Sequence, residues 1–351
     1  MKIKPMTKFA ILALSLVLVA CAGGGSEEAG CPAIDGREIN VVATTPMIGE
    51  FVSQVGGENI NLTVLMPPEA NPHTYEPAPQ DAGTIAEADL VFYTGLLYEP
   101  AALVKLLENS ACSTDILSEV GESVFPIEFK EGGHDDHDDH DDEEGHDDHD
   151  DEEGHDDEEG HDDEEGHDDH EGHNHGAYDP HFWFDPSRVA YAAEYIESRL
   201  IQFDPENEPS YKSSADSFVS ELNDLTKQVS ELISTVPSQN RKLITTHESL
   251  GYLEAKFGLE VLSTIIPSLN SANEISPSDL AGVIDVIEDN NVKVIFIESE
   301  APSVYSETIV AETGIKPVTG LYVETLKPGQ SYSEFLISNV KLITENLQDT
   351  D

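Results

Sequence analysis

The chain is poor in positive charge. Only 17 of its 351 residues are Lys or Arg, against 71 that are Asp or Glu, so the formal net charge is −54. A nucleic-acid binder that neutralises phosphates needs the opposite sign, so this class of protein is excluded. The same deficit argues against docking on an anionic membrane through basic patches. A chain this acidic should instead attract cations.

The chain also has few cysteines and lacks common catalytic motifs. It contains three Cys and no CxxC pair, which is a weak basis for a cysteine metal site. It has neither an HExxH zinc motif nor a Gly-x-Ser-x-Gly elbow, so we expect no enzyme, and a zinc hydrolase is the weaker alternative. Cys31 and Cys112 either form a disulfide or stay free thiols, and the sequence leaves both possibilities open.

One short apolar run stands at the N-terminus. Residues 9–19 form a run that is apolar except for one Ser and that follows three Lys, which is typical of a secretory signal peptide and short for a membrane span. The run ends in Leu-Val-Ala-Cys, which resembles the lipobox of bacterial lipoproteins. That resemblance implies cleavage before Cys21 and lipid on its thiol. We therefore expect a signal peptide over 1–20, a lipidated, flexible tether over 21–37, and an extracytoplasmic body anchored to the cell membrane.

Beyond the tether, the apolar pattern occurs twice. Short β-rich runs alternate with stretches of helical spacing, and the predicted strands are 39–46, 61–68 and 89–96, then 241–247, 259–267, 292–298 and 316–322. This alternation predicts an α/β fold with one parallel sheet in each half. Between the halves, Phe218, Leu222, Leu225 and Val229 recur at three or four residues, which predicts a long connecting helix.

The segment 131–175 has a biased composition. It holds 26 acidic residues, 11 of the 14 His, and no Lys or Arg. Such a run buries too little apolar surface to offset the entropy of ordering, so we expect disorder over 131–176. It is either a solvated spacer or a weak, multivalent collector of zinc. The predicted units around it are an N-terminal lobe over 38–205, a linker helix over 206–237 and a C-terminal lobe over 238–351.

Only three His lie outside this acidic segment, and each follows a predicted strand or a loop exit. They are His73, His181 and His247. Ligands of open parallel sheets gather beyond the carboxyl ends of the strands, and two facing lobes would bring these side chains into one cleft. We therefore predict a shared metal site, although a lone His is more often a hydrogen-bonded structural residue.

Three segments around these His resemble the signatures of the zinc/manganese (cluster A-I) substrate-binding proteins of ABC importers. They are residues 71–77 (NPHTYEP), 179–186 (DPHFWFDP) and 246–252 (THESLGY). The acidic, His-rich segment ahead of the second signature is similar to that of the zinc-uptake members. The resemblance runs from about residue 39 to the C-terminus. It implies two (β/α)₄ lobes with parallel sheets, joined by a long rigid helix, with a metal site in the interlobe cleft.

The resemblance also implies a ligand set. His73, His181 and His247 occupy the three His positions of the family, and Glu324 stands where an Asp is more usual. This departure leaves water as an alternative fourth ligand. Glu298, at the end of a predicted strand, is expected to support the structure rather than bind metal.

The ligand types favour one metal. Three imidazoles and one oxygen suit four-coordinate Zn²⁺, whereas Mn²⁺ prefers more carboxylate and water. Manganese-type members also tend to have Glu at the position of His247. We therefore predict zinc, with Mn²⁺, Ni²⁺ and Co²⁺ left open as alternatives. Glu76, near the first signature His, is expected to be a bystander or a partner for a His ring nitrogen.

The predicted function is to capture Zn²⁺ outside the cytoplasm and to deliver it to the permease of an ABC transporter. The alternatives are a manganese or other divalent-metal-binding protein of the same importer class, and a surface metal-binding adhesin. The expected partners are the metal ion and the permease. We expect no nucleic acid, membrane contact through the lipid anchor only, and a monomer.

Overall fold

The computed structural model describes residues 31, 34, 36–129, 178–300 and 304–348. The predicted signal peptide, Cys21, most of the predicted tether and the acidic segment lie outside the described residues. Within the described ranges, no helix is both long and apolar enough to cross a bilayer.

The first half forms a four-stranded parallel sheet. Its strands are β1 (Ile39–Ala43), β2 (Ile60–Val64), β3 (Leu90–Tyr93) and β4 (Leu117–Glu119), in the spatial order β2-β1-β3-β4. Strand β1 is central, and its apolar residues are buried as expected for a strand covered on both faces. Strand β4 was not among the predicted strands. It has only three residues, of which Ser118 alone is buried, so it carries no apolar pattern to detect.

The second half repeats this architecture. Its strands are β5 (Lys242–His247), β6 (Glu260–Ile266), β7 (Val294–Glu298) and β8 (Lys316–Leu321), all parallel, in the spatial order β6-β5-β7-β8. All four lie where the sequence predicts them. Because His247 ends β5 and Glu298 ends the neighbouring β7, the two side chains stand at the same carboxyl edge.

Nine α-helices cover these sheets within the described ranges. They are α1 (Pro46–Gly56), α2 (Pro79–Ala86), α3 (Ala101–Ser110), α4 (Pro186–Phe203), α5 (Glu208–Ser234), α6 (Gly251–Phe257), α7 (Pro277–Asn290), α8 (Val304–Thr313) and α9 (Tyr332–Gln348). Helix α7 shows why the sequence signals work. Ser276 caps it by accepting from the amide of Asp279, whose carboxylate accepts in turn from the amide of Ser276, and Pro277 occupies the first turn.

Helix α5 is the predicted connection between the halves. Its buried residues recur at three or four positions and form one apolar face: Tyr211, Ala215, Phe218, Leu222, Leu225, Val229 and Ile233. This face packs against α1 and α4 of the first half and against α9 of the second half. The helix therefore contacts both halves along its length.

One apolar core joins the two halves. The ring of Phe51 in α1 lies 6.2 Å from the ring of Phe182, 6.3 Å from that of Phe218 in α5, and 5.3 Å from that of Tyr332 in α9. The Tyr332 hydroxyl donates a hydrogen bond to the backbone oxygen of Trp183 at 2.6 Å. Because α9 follows the second sheet while α1 belongs to the first, buried packing connects the lobes in addition to the chain itself.

Cys31 and Cys112 form a disulfide, with their Cα atoms 5.1 Å apart. The bond ties the chain ahead of β1 to the turn after α3. Of the two possibilities that the sequence leaves open, the structure contains the bonded form.

Candidate metal centre

Four predicted site residues come together between the lobes. His73, His181, His247 and Glu324 each offer one ligand atom, and these four atoms lie within 4.8 Å of one another. The side chains of His181 and His247 are fully buried, and those of His73 and Glu324 are 3% and 1% exposed. The residues come from four separate segments, so the cluster exists only in the folded chain.

His73 lies in a 3₁₀ turn (Pro72–Thr74) beyond the end of β2. Its backbone amide donates to the side-chain oxygen of Asn71 at 2.9 Å, which caps the turn. The side-chain Nδ2 of Asn71 donates in turn to Ser271 Oγ at 3.0 Å and to the backbone oxygen of Glu300 at 3.3 Å. Asn71 therefore holds the His73 turn of the first lobe against two loops of the second lobe.

His181 is oriented by a carboxylate two residues earlier. Asp179 Oδ1 accepts from both the backbone amide and the ring Nδ1 of His181, each at 2.8 Å. A proton on Nδ1 leaves Nε2 free to act as a metal ligand. Gly251, at the start of α6, approaches this carboxylate so closely that an added Cβ would lie 2.7 Å from Asp179 Oδ2.

His247 is oriented in the same way from the neighbouring strand. Glu298 accepts from the backbone amide of His247 at 3.1 Å and from its ring Nδ1 at 2.5 Å. Glu76 makes no such contact, because its side chain is exposed. Glu298 is therefore the carboxylate that supports His247, and Asp179 supports His181 in the same way. The sequence does not predict the role of Asp179.

Glu324 lies among the three imidazoles. Its Oε1 lies 3.0 Å from His73 Nε2 and 2.9 Å from His247 Nε2, while its Oε2 lies 3.5 Å from His181 Nε2. Tyr98 follows β3 in the first lobe, and its hydroxyl lies 2.9 Å from Glu324 Oε2. Sequence reasoning missed Tyr98, because nothing in its local pattern distinguishes it from a core residue.

The buried charges shift one another's pKa. Burial would raise the pKa of Glu324, but the three imidazoles hold it well below its usual value. Burial likewise lowers the pKa of His181, yet Asp179 and Glu324 outweigh this effect and raise it to about 9. Against the same effect of burial, Glu298 and Glu324 raise the pKa of His247 well above its usual value. Without metal, the cluster therefore stabilises protonated imidazoles.

Glu300 adds a further acid beside the cluster. Its carboxylate accepts from the backbone amide of Glu324 at 3.4 Å, and burial together with the Glu324 charge raises its pKa to about 8. Without metal, these surroundings favour its protonated form. The sequence does not single out Glu300, because Glu298, two residues earlier, is the carboxylate that ends the predicted strand.

Two ring atoms indicate what the cluster can hold. The buried Nε2 atoms of His181 and His247 lie 3.5 Å and 2.9 Å from the oxygens of Glu324, but neither is aligned for a hydrogen bond with them or with any other described residue. A buried polar atom without a partner is costly, and a bound metal ion would satisfy both of these at once. Three imidazole nitrogens and one carboxylate oxygen form a donor set that suits a divalent metal ion.

The fold and this cluster define a class of protein. Two parallel α/β lobes with a buried His₃–carboxylate cluster between them belong to the metal-binding substrate proteins of ABC importers, which bind solutes rather than transform them. The profile of the family described as "Zinc-uptake complex component A periplasmic" (ZnuA) matches residues 41–346, and the chain belongs to this family. The resemblance to the zinc/manganese substrate-binding family is thereby confirmed.

Curated relatives cover nearly the whole chain. The high-affinity zinc uptake system protein ZnuA of Bacillus subtilis is 27% identical, over 97% of this chain and 96% of the relative. The manganese ABC transporter substrate-binding lipoprotein PsaA of Streptococcus anginosus is 25% identical, over 98% and 99%. The relatives thus include proteins named for zinc and for manganese.

Solved structures share the fold. The periplasmic zinc-binding protein TroA from Treponema pallidum superposes with a TM-score of 0.69 at 20% identity, covering 88% of this chain and 99% of its own. The Fe(III)-bound YtgA from Chlamydia trachomatis gives a TM-score of 0.70 at 23% identity, covering 88% and 98%. At these identities the likeness establishes the two-lobed architecture alone.

Proposed function

We propose that this protein captures Zn²⁺ outside the cytoplasm and delivers it to the permease of an ABC importer. The observation that carries the proposal is the ligand set: the Nε2 atoms of His73, His181 and His247 converge with Glu324 in a buried site. Zn²⁺ favours four ligands of this kind, with bonds of about 2.0–2.2 Å. The geometry of the cluster supports all four residues as ligands.

Manganese is the second candidate metal. The relatives named for manganese in Streptococcus anginosus and in Halalkalibacterium halodurans, at 25% and 22% identity, support it. The donor set argues the other way, because Mn²⁺ prefers carboxylate and water over imidazole. We therefore place zinc first.

The lipid anchor and the acidic segment complete the proposal. Lipid on Cys21 would hold the protein at the outer face of the membrane, which agrees with the name lipoprotein carried by several relatives. The segment over 131–176 would collect zinc weakly, because its His and carboxylates recur together and must be ordered on binding. We propose that the protein acts as a monomer, in two lobes divided as the sequence predicts, with α5 as the rigid connection.

The central test is metal binding by the purified full chain. Native mass spectrometry with Zn²⁺ and Mn²⁺ in competition should show one tightly held zinc. Each of His73→Ala, His181→Ala and His247→Ala should abolish this tight site, and Glu324→Ala should weaken it less because water can replace the carboxylate. Glu76→Ala is the control, since its exposed side chain lies close to His73 in sequence and makes no contact with the cluster. Wild-type affinity in a His variant would remove that residue from the ligand set.

Transport needs a separate test in cells. Deleting the gene should slow growth under zinc limitation by chelator, and the wild-type gene should restore growth while His247→Ala should not. Rescue by added manganese instead of zinc would favour the second candidate metal.

A further inference from the structure

The Tyr98 hydroxyl reaches from the first lobe to Glu324, the carboxylate that the second lobe contributes to the cluster. Tyr98 follows β3, whereas Glu324 follows β8. The Tyr98 oxygen lies 2.9 Å from Glu324 Oε2 and 3.0 Å from the backbone oxygen of the same residue. The Tyr98 side chain is buried, with 1% of the residue exposed, so water does not compete for this hydrogen bond.

The two carboxylate oxygens of Glu324 have different surroundings. Oε1 is within 3.0 Å of the Nε2 atoms of both His73 and His247, and among the described residues no tyrosine hydroxyl donates to it. Oε2 accepts from the Tyr98 hydroxyl, sharing its single proton with the backbone oxygen of the same residue, and lies 3.5 Å from the third ring nitrogen, His181 Nε2. A lone pair directed at a phenol proton is less available to a metal ion. The hydroxyl thus makes the two oxygens chemically unequal.

The position of Tyr98 is fixed by its neighbours. Its ring packs edge-on against the rings of His73 at 5.1 Å and Trp183 at 5.3 Å. Trp183 in turn donates from Nε1 to the backbone oxygen of Val323 at 2.8 Å, one residue before Glu324. Packing therefore fixes the Tyr98 hydroxyl, and the Trp183 hydrogen bond fixes the backbone next to Glu324. Both partners are held in place, which is the condition for a preorganised ligand.

We propose that Tyr98 restricts Glu324 to coordination through one oxygen and thereby biases the centre towards zinc over manganese. This inference rests on the proposed function of the cluster as a metal-capture site. Three imidazoles and one carboxylate oxygen complete the four-coordinate shell of Zn²⁺. A carboxylate free to bind through both oxygens would add a fifth donor and more oxygen character, which suits Mn²⁺. Tyr98 is a positioning residue here, since it acts through Glu324.

The test is Tyr98→Phe, which removes the hydroxyl and keeps the ring. Zinc and manganese affinities of the full chain are measured by competition with chromophoric chelators. We expect the ratio of zinc to manganese affinity to fall about tenfold, the scale of one hydrogen bond to a charged group. Zinc X-ray absorption at one equivalent should show four ligands in the wild type and more in the variant. The intense visible bands of four-coordinate Co²⁺ should weaken in the same variant.

Tyr93→Phe is the matched control. Tyr93 lies in β3, is partly buried, and donates its hydroxyl to Glu119 at 3.2 Å, away from the cluster. Removing this hydroxyl should leave both the affinity ratio and the cobalt bands unchanged.

Two results would overturn the role of Tyr98 without touching the proposed function. One is a folded Tyr98→Phe protein with an unchanged affinity ratio and unchanged spectra. The other needs no variant: zinc in the wild-type protein with five or six ligands. A wild-type protein that holds no metal at all would instead overturn the proposed function itself.

Discussion

Glu298 holds His247 at two points. Its carboxylate accepts from the backbone amide at 3.1 Å and from the ring Nδ1 at 2.5 Å. Both residues are fully or almost fully buried, and they end the adjacent strands β5 and β7. The pairing fixes both the ring orientation and the tautomer, and the negative charge raises the basicity of the ring. It directs Nε2 towards the other ligand groups and keeps the remaining proton on Nδ1 when Nε2 gives up its own to bind metal.

Replacing Glu298 by Gln should therefore weaken metal binding while keeping the shape of the side chain. We expect zinc affinity to fall by about 10- to 100-fold, the usual cost of losing such a partner. Competition with a chromophoric chelator measures this. Glu248→Gln is the matched control, because Glu248 adjoins His247 in sequence but accepts from Thr264 Oγ1 at 2.9 Å instead. Equal losses in both variants would show a general charge effect rather than support of His247.

Zinc affinity should rise with pH through the neutral range. Asp179 and Glu324 raise the pKa of His181 to about 9, and Glu298 and Glu324 raise that of His247 well above its usual value, so near neutral pH the metal-free protein favours the cationic form of both rings, with a proton on each nitrogen. Only the neutral ring binds metal, so zinc must displace these protons, and the competition persists until the pH approaches 9. Calorimetry in buffers of different ionisation enthalpy should report net proton release near pH 7. Binding that releases no protons would show that the rings are already neutral.

Much of the fold follows from local pattern. The strands that the sequence predicts are apolar, β-rich and bounded by turns, and each recurs within a few residues of its predicted place. The sequence does not predict strand β4, because Leu117–Glu119 is short and mostly polar. Only its pairing with β3 defines it as a strand. The sequence does predict helix α5, because its apolar spacing persists for many turns.

The candidate site likewise contains residues that the sequence predicts and residues that only the folded structure reveals. The three His follow strand ends or loop exits, so topology alone suggested that they converge. Tyr98 and Asn71 act across the lobe interface, and their roles depend on which loops of the second lobe face them. No spacing within the chain encodes that contact. Glu324 was found through the resemblance to the family and not through its local pattern.

The lobes should move little when metal binds. Helix α5 packs against α1, α4 and α9, and the apolar core is shared between both halves. Opening a wide hinge would expose this core, which is costly. Hydrogen exchange should show α5 equally protected with and without zinc, while the loops that carry His73 and Glu324 gain protection. A large loss of protection in α5 without metal would contradict the rigid connection.

The disulfide should contribute to stability without affecting the site. It closes a loop spanning 81 positions, so removing it frees the unfolded chain and should cost about 2–4 kcal/mol. The double variant Cys31→Ser/Cys112→Ser should melt at a lower temperature than the wild type, as should the wild type with reductant. Its zinc affinity should be unchanged, because neither cysteine contacts the cluster. If reductant leaves the wild-type melting temperature unchanged, the thiols are free in solution.

The lone tryptophan should distinguish the metal centre from the acidic segment. Trp183 is the only Trp in the chain, it is fully buried, and its ring lies 5.4 Å from that of His181. Because Co²⁺ quenches indole fluorescence only at short range, an ion in the centre should quench Trp183 far more than an ion held by the acidic segment. We expect the first equivalent of Co²⁺ to cause nearly all the quenching and later equivalents to cause little. In His181→Ala the first equivalent should lose this effect. Quenching spread evenly over many equivalents would mean that the acidic segment binds at least as tightly as the centre, and the proposed division into collector and carrier would be wrong.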